Sequence, residues 1–284
     1  MKLSVKILFI LILAIIGLFI INGYNETEAT TSTNTNTNIN TVNTGIWVHS
    51  GEMDLINLDS VQKQKINNIY LHSNIIKKYN NKQIQDFITQ CHKKNIKVHI
   101  WVSVFRYDDT FHEPNTLIVY QRLNFIKECA NIPNIDGITL DYIRYDGKNP
   151  STVKEQIITD FVKEAHKITQ NKNIQLSACI MPEKDQSAKL YGQNIQELSK
   201  HAEVMMPMIY KGNYGKNTAW ITETTKWYKK ESQCQVIPII LTYKSDKDTS
   251  TLSNTELKTD IKSVYDGGAD GCSLFKYGFV DVIS

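Results

Sequence analysis

The sequence predicts an α/β protein, a (β/α)8 TIM barrel, and three observations predict it. Eight apolar runs recur along the chain, at 45–49, 68–72, 96–104, 135–142, 174–182, 203–210, 235–242 and 271–277. The segments between them carry apolar side chains at helical spacing, as in Leu117, Tyr120, Leu123 and Ile126, or Ile157, Ile158, Phe161 and Val162. Strands that alternate with helices pair in parallel, and the 240 residues from 45 to 284 are the usual size of one closed barrel.

Ahead of the barrel the chain divides in two. Residues 1–23 hold Lys2 and Lys6 and then fifteen residues, Ile7 to Ile21, with no charged or polar side chain. As a helix that run spans about 22 Å, short of the roughly 30 Å of a hydrocarbon core. It reads as a signal peptide, although no A-x-A site follows it, or as an uncleaved anchor. In both cases the N-terminal segment meets a membrane and the domain ends outside the cytoplasm, secreted or tethered. Residues 24–44 are mostly Thr and Asn, a composition that cannot bury a core and predicts a disordered linker. Asn25-Glu26-Thr27 is a glycosylation sequon within it.

The first connection, 50–67, is short for a full helix, and Phe279 to Ser284 leave room only for a truncated or replaced eighth helix. Strand alternation sorts the side chains into two sets. With Ile46, Val48, Ile69, Leu71, Val98, Ile100, Val102, Ile138, Leu140, Ile237, Ile239 and Leu241 toward the helices, the alternates face inward. Among those are Trp47, His49, Tyr70, His72, His99, Trp101, Asp141, Met208, Tyr210, Phe275 and Tyr277. Aromatic faces edged by polar groups exceed what a hydrocarbon core needs, and they suit a carbohydrate.

Net charge is +3, and lysines are spread among acidic residues, so nucleic acid is not an expected partner. The five cysteines, at 91, 129, 179, 234 and 272, include no C-x-x-C pair and read as buried free thiols. No glycine-rich turn joins a strand to a helix, so no nucleotide site is expected.

The stretch Asp136-Gly137-Ile138-Thr139-Leu140-Asp141-Tyr142-Ile143-Arg144-Tyr145 ends an apolar strand in a carboxylate, an arginine and two tyrosines, at the barrel end where such folds place chemistry. On the residues alone, Asp141 is either a functional carboxylate or a cap paired with Arg144. The stretch resembles a glycosyl-hydrolase-like barrel family whose fourth strand reads D-G-I-x-x-D-Y-I-R-Y, often followed by proline; here Asp146-Gly147 follows instead. The resemblance extends to Gly45-Ile46-Trp47, to Val98-His99-Ile100-Trp101-Val102, to Met206-Pro207-Met208-Ile209-Tyr210 and to Leu274-Phe275-Lys276-Tyr277-Gly278. It implies glycosidase activity on a polysaccharide substrate.

Glycoside hydrolysis commonly uses two carboxyl groups, one protonated and one ionised. Asp141 is the candidate for the ionised role, kept charged by Arg144. Glu183, just past Ile180-Met181-Pro182, is the candidate acid, its pKa raised by apolar neighbours; the bland alternative is a solvated residue paired with Lys184. Asp108 and Asp109 form a reserve pair after the third strand. Asp136, at the opposite face, reads as structural. His49 and His72 close the first two strands. They read as substrate or supporting hydrogen-bond groups, and neither a metal nor a cofactor is expected. Tyr142, Arg144 and Tyr145 form a rim, with Arg144 able to bind the carboxylate of an acidic sugar. Trp101, Tyr210 and Tyr277 are expected to wall the sugar site, and Lys211-Gly212-Asn213-Tyr214-Gly215 to serve as a lid or subsite lip. The expected function is therefore a glycoside hydrolase of a cell-surface or cell-wall polysaccharide. The rivals are an inactive glycan-binding barrel and a metal-dependent hydrolase or deacetylase using His49 and His72.

Overall fold

The computed structural model describes residues 43–148 and 153–279. The expected membrane segment, 1–23, and nearly all of the linker, 24–44, lie outside the described residues. Asn43 and Thr44, read above as linker, already belong to the first strand. Among the described residues no helix is long and apolar enough to cross a membrane.

Eight strands build the frame: β1 Asn43–Val48, β2 Asn68–His72, β3 Lys97–Ser103, β4 Gly137–Asp141, β5 Gln175–Ile180, β6 Val204–Pro207, β7 in two pieces (Gln235–Val236 and Ile239–Leu241), and β8 Gly271–Phe275. All pair in parallel, each with the next in sequence from β1 to β6, while β8 pairs back onto β1. The first piece of β7 pairs with β6 and the second with β8. Between the pieces Ile237 donates its amide to Met205 O at 2.9 Å, and Pro238 O accepts from Ser273 N at 2.9 Å. The curled sheet with helices along its sequence is an α/β fold of the TIM-barrel type.

Helices follow the strands, the longest being Asn81–Lys93, Thr116–Ala130, Val153–Gln170, Thr218–Glu231 and Asn254–Asp266. The first connection carries only a short turn at Ser50–Glu52 and the helix Leu58–Lys63. Lys276 to Phe279, after β8, form no helix. The chain's abundant asparagine has a visible use. Asn57, Asn80, Asn115, Asn194 and Asn217 each stand at a helix N-cap with the side chain accepting an amide of the first turn. Helices re-enter the sheet through left-handed residues, Asn95, Asn134 and Asn173 before β3, β4 and β5, which asparagine tolerates better than most.

Two cores result. Ile46, Val48, Ile69, Leu71, Val98, Ile100, Val102, Ile138 and Leu140 pack outward against helices, as alternation predicts. Trp47, Tyr70, Trp101, Cys179, Met206, Ile237 and Ile239 fill the interior. The last two correct the expected phase of β7: Val236 and Ile240 face out instead. Every residue from Val236 to Leu241 is apolar, so no polar side chain marks the inner face there. At the base, His99 Nε2 meets Asn68 Oδ1 at 3.0 Å and Asp136 accepts from Val98 N and His92 Nε2 at 2.7 and 2.8 Å, the structural role expected of Asp136. All five cysteines are free, four buried and Cys234 half-buried.

Candidate active site

A cavity of about 1010 Å³ opens where the strands end. Its floor is the top of the interior stack: Trp47 lies against Tyr70 with ring centroids 4.7 Å apart and meets Trp101 edge-on at 5.2 Å. Trp101 in turn meets His72 edge-on at 4.6 Å and lies 5.2 Å from His49.

Asp141 closes β4 at that level and is only 7% exposed. Trp101 Nε1 donates to its Oδ2 at 3.0 Å, and the Tyr142 amide donates to Oδ1 at 2.7 Å. Burial pushes the Asp141 carboxyl above the usual carboxylate range. The two N–H donors and the Arg144 and Arg106 charges oppose this without cancelling it. This runs against the expectation that Arg144 keeps Asp141 ionised: desolvation outweighs the charge of a guanidinium set among the rings of Phe111, Tyr142 and Tyr191. Tyr142 itself is left-handed, φ 52°, a conformation costly for a residue with a Cβ. It is pinned by the continued ladder, Val104 N to Asp141 O at 2.8 Å and Phe105 N to Tyr142 O at 3.3 Å.

His49 and His72 both line the cavity, with centroids 6.2 Å apart. Burial lowers the pKa of each, that of His72 to about 4. His72 Nδ1 accepts the Asn74 amide at 3.2 Å, which leaves the proton of the neutral ring on Nε2, toward Ser103 Oγ at 3.5 Å. Among the described residues no three His, Cys, Asp or Glu side chains gather in a way that would hold a metal ion.

Trp101, Tyr142, Arg144 and Tyr210 line the same cavity as Asp141, while Glu183 and Tyr277 do not. Glu183 meets it only through Tyr214, whose hydroxyl donates to Oε1 at 2.8 Å; Tyr191 donates to the same oxygen at 3.1 Å. Tyr277 points away from the cavity: its hydroxyl accepts the Asn57 amide at 3.2 Å and donates to Leu55 O at 3.2 Å. Strand alternation was carried one step too far there, because β8 ends at Phe275. The loop expected as a lid is tied down at three points. Lys211 pairs with Glu256 and the buried Asp260 at 2.8 and 2.7 Å, Asn213 exchanges hydrogen bonds with Asp246, and Tyr214 holds Glu183.

Several lining residues escaped the sequence reading. Asp246 sits in the hairpin after β7 and accepts from Asn213 Nδ2 at 2.8 Å and Tyr243 Oη at 3.1 Å. Nothing in Lys244-Ser245-Asp246-Lys247 sets it apart from an ordinary polar turn. Asp108 and Asp109, the reserve pair, do line the cavity, at the tip of the hairpin that Arg106–Tyr107 and Thr110–Phe111 form after β3. Arg106 and Arg122 join Arg144 in the wall, and for these a signal was present: they are the only arginines among 32 basic residues.

The fold is shared with solved enzymes. The chain superposes on a class V chitinase from Pseudomonas fluorescens Pf-5 with a TM-score of 0.66 and 13% identity, covering 85% of this chain and 96% of that one. On the spore cortex-lytic enzyme SleL of Bacillus megaterium QM B1551 the TM-score is 0.57 at 12% identity, covering 84% and 71%. For the endo-1,4-beta-D-mannanase of Thermotoga petrophila RKU-1 the score is 0.60 at 13% identity, covering 83% and 88%. At such identities the likeness is one of fold. No curated protein matches the sequence. The model of the family described as "Putative glycosyl hydrolase domain" matches residues 126–278, more than half of the chain, and the chain belongs to that family.

Proposed function

We propose that the protein is a glycoside hydrolase of a cell-surface or cell-wall polysaccharide, with Asp141 as the proton-donating carboxyl. One observation carries the reading: a buried carboxyl, raised in pKa and held by Trp101, stands at the floor of an aromatic-walled cavity at the catalytic end of the barrel. A carboxyl whose pKa burial has raised holds its proton longer than an exposed one, which suits release of a leaving alcohol. The second carboxyl is assigned to Asp246, the loop carboxylate of the cavity held by two hydrogen bonds. Glu183 acts here as a post that fixes Tyr214, not as a group that touches sugar. The wall substrate draws support from the apolar run Ile7 to Ile21 behind its basic flank, which fits a secreted or tethered domain, and from a fold neighbour named for lysis of spore cortex.

The test is reducing-end release from chitin, mannan, peptidoglycan and acidic wall polymers by the full-length chain. Asp141→Asn should lower the rate by about 10³-fold while the fold persists, Asp246→Asn by a similar factor, and Glu183→Gln by less than about tenfold. A loss of about 10³-fold in Glu183→Gln with less than about tenfold in Asp246→Asn would reverse the assignment of partner. A second reading, a barrel that binds glycan without cutting it, is favoured by one fact: Asp141 is the sole buried carboxylate among those lining the cavity. Glycan retention with no ends released by wild type would establish it.

A further inference from the structure

The chain meets nearly every need for positive charge with lysine: of 32 basic residues three are arginines, Arg106, Arg122 and Arg144. All three line the one cavity, though they come from different elements: the hairpin after β3, the helix Thr116–Ala130 and the loop after β4. Lysine supplies charge, whereas arginine supplies a flat fork of donors that matches a carboxylate or phosphate edge-on. Among the described residues, ion pairs within 4.0 Å involve lysine and histidine only, so none of the three guanidiniums is spent on a carboxylate. Two keep a buried Nε with no acceptor, Arg122 and Arg144.

Arg106 and Arg144 flank one ring. Arg106 Nη1 donates to the Tyr142 hydroxyl at 3.2 Å, and the guanidinium carbons of Arg106 and Arg144 lie 5.4 and 5.0 Å from the centre of the Tyr142 ring. Together they border a niche of about 270 Å³ beside the main cavity, shared with Phe111, Asp109 and Asp146. Asp146 is turned to Lys148, at 3.6 Å, and to its amide, and Asp109 is the other carboxylate of the lining. Arg144 spends one donor on Tyr145 O at 3.1 Å and Arg122 one on Ser103 O at 3.1 Å, which orients the forks and leaves most of their N–H groups open.

We infer that the niche between Arg106, Tyr142 and Arg144 receives an anionic group, a carboxylate or a phosphate, carried by the glycan whose neutral part lies in the main cavity. This rests on the reading of that cavity as a saccharide site. The substrate class is thereby narrowed to acidic or phosphorylated polymers over neutral ones such as mannan.

The test measures affinity of the full-length chain for a trisaccharide of uronic acids against its carboxyl-reduced neutral twin, and for a hexose 6-phosphate against the free hexose. At least one charged member should bind about tenfold or more tightly than its twin, and which one does so separates carboxylate from phosphate. The preference should shrink as salt rises from about 0.05 to about 0.5 M. Arg106→Gln, at an exposed position, should remove about tenfold of the preference with an unchanged melting temperature, and Arg144→Lys, which keeps the charge and loses the fork, should do the same. Neutral twins that bind as well as both acids, or an Arg106→Gln that keeps the full preference, would overturn the inference. Hydrolysis by wild type, measured beside the affinities, separates it from the hydrolase reading. An acidic preference without hydrolysis in wild type leaves the niche standing and removes the hydrolase, and cleavage of neutral glycans with no acidic preference does the reverse.

Discussion

Trp101 donates the one side-chain hydrogen bond that Asp141 receives among the described residues, and that bond favours the charged carboxylate. Removing it raises a pKa that burial has already raised. Trp101→Phe, which keeps a ring on the floor, should therefore move the alkaline limb of the pH-rate profile upward and slow turnover about ten- to a hundredfold, the worth of a hydrogen bond to a charged group. A slower enzyme with an unmoved limb would mean that Trp101 only fills space. At this scale the sequence was partly legible. Asp141, Trp101, His49, His72, Tyr142, Arg144 and Tyr210 stand together because strand ends and period-two alternation converge on one rim. Glu183, Tyr277 and Asp246 were not legible, because past the strand ends the chain turns through loops where parity has no meaning. The upward direction of the Asp141 shift was not legible for another reason: Arg144 is visible in sequence, and the depth of the pocket is not.

Elements carry the next set of constraints. At the base of β4, Gly137 has no room for a side chain, since a Cβ would collide with His99 Nδ1 and approach Gln175 O to 2.7 Å. Gly137→Ala should cost about 1–3 kcal/mol by overpacking, a fall of several degrees in melting temperature by calorimetry, with the rim chemistry left in place. If Gly137→Ala melts with wild type, the base of the barrel is softer than its contacts imply. The loop after β6 behaves as part of this framework. Gly212 lies so close to the Lys244 carbonyl that any Cβ there would clash with it, and Lys211, Asn213 and Tyr214 each reach a different element. Lys211-Gly212-Asn213-Tyr214-Gly215 looks mobile on paper, and long-range bonds from three of its residues make it a fixed lip. Sequence periodicity located all eight strands to within a few residues, since each is a short apolar run between capped helices. It failed in phase only at β7, where every side chain is apolar.

Over the whole molecule, burial of neutral histidine couples stability to acid. His72 and His99 each have a folded pKa near 4 against 6.5 when exposed, in both cases chiefly from burial. A lowered histidine pKa means that the unfolded chain takes up protons first. Stability is then complete above about pH 6.5, declines as pH falls toward 4, and at pH 5 is lower by about 2 kcal/mol for each ring. Urea unfolding at pH 7 and pH 5 should show this loss, and His99→Gln should lose less between the two pH values than wild type; equal losses would remove His99 from the account. The fold class was the most legible feature of all, because alternation of strand and helix repeats across the chain and tolerates local errors of parity or boundary. Closure of the ring is less even than that repetition implies. Pro238 brings no N–H to the ladder, and the two short pieces of β7 divide their pairing between β6 and β8. The break is nonetheless laced from both sides, Ile209 N donating to Ile239 O and Asp270 N to Val236 O, both at 2.9 Å, so the wall stays continuous where its strand does not.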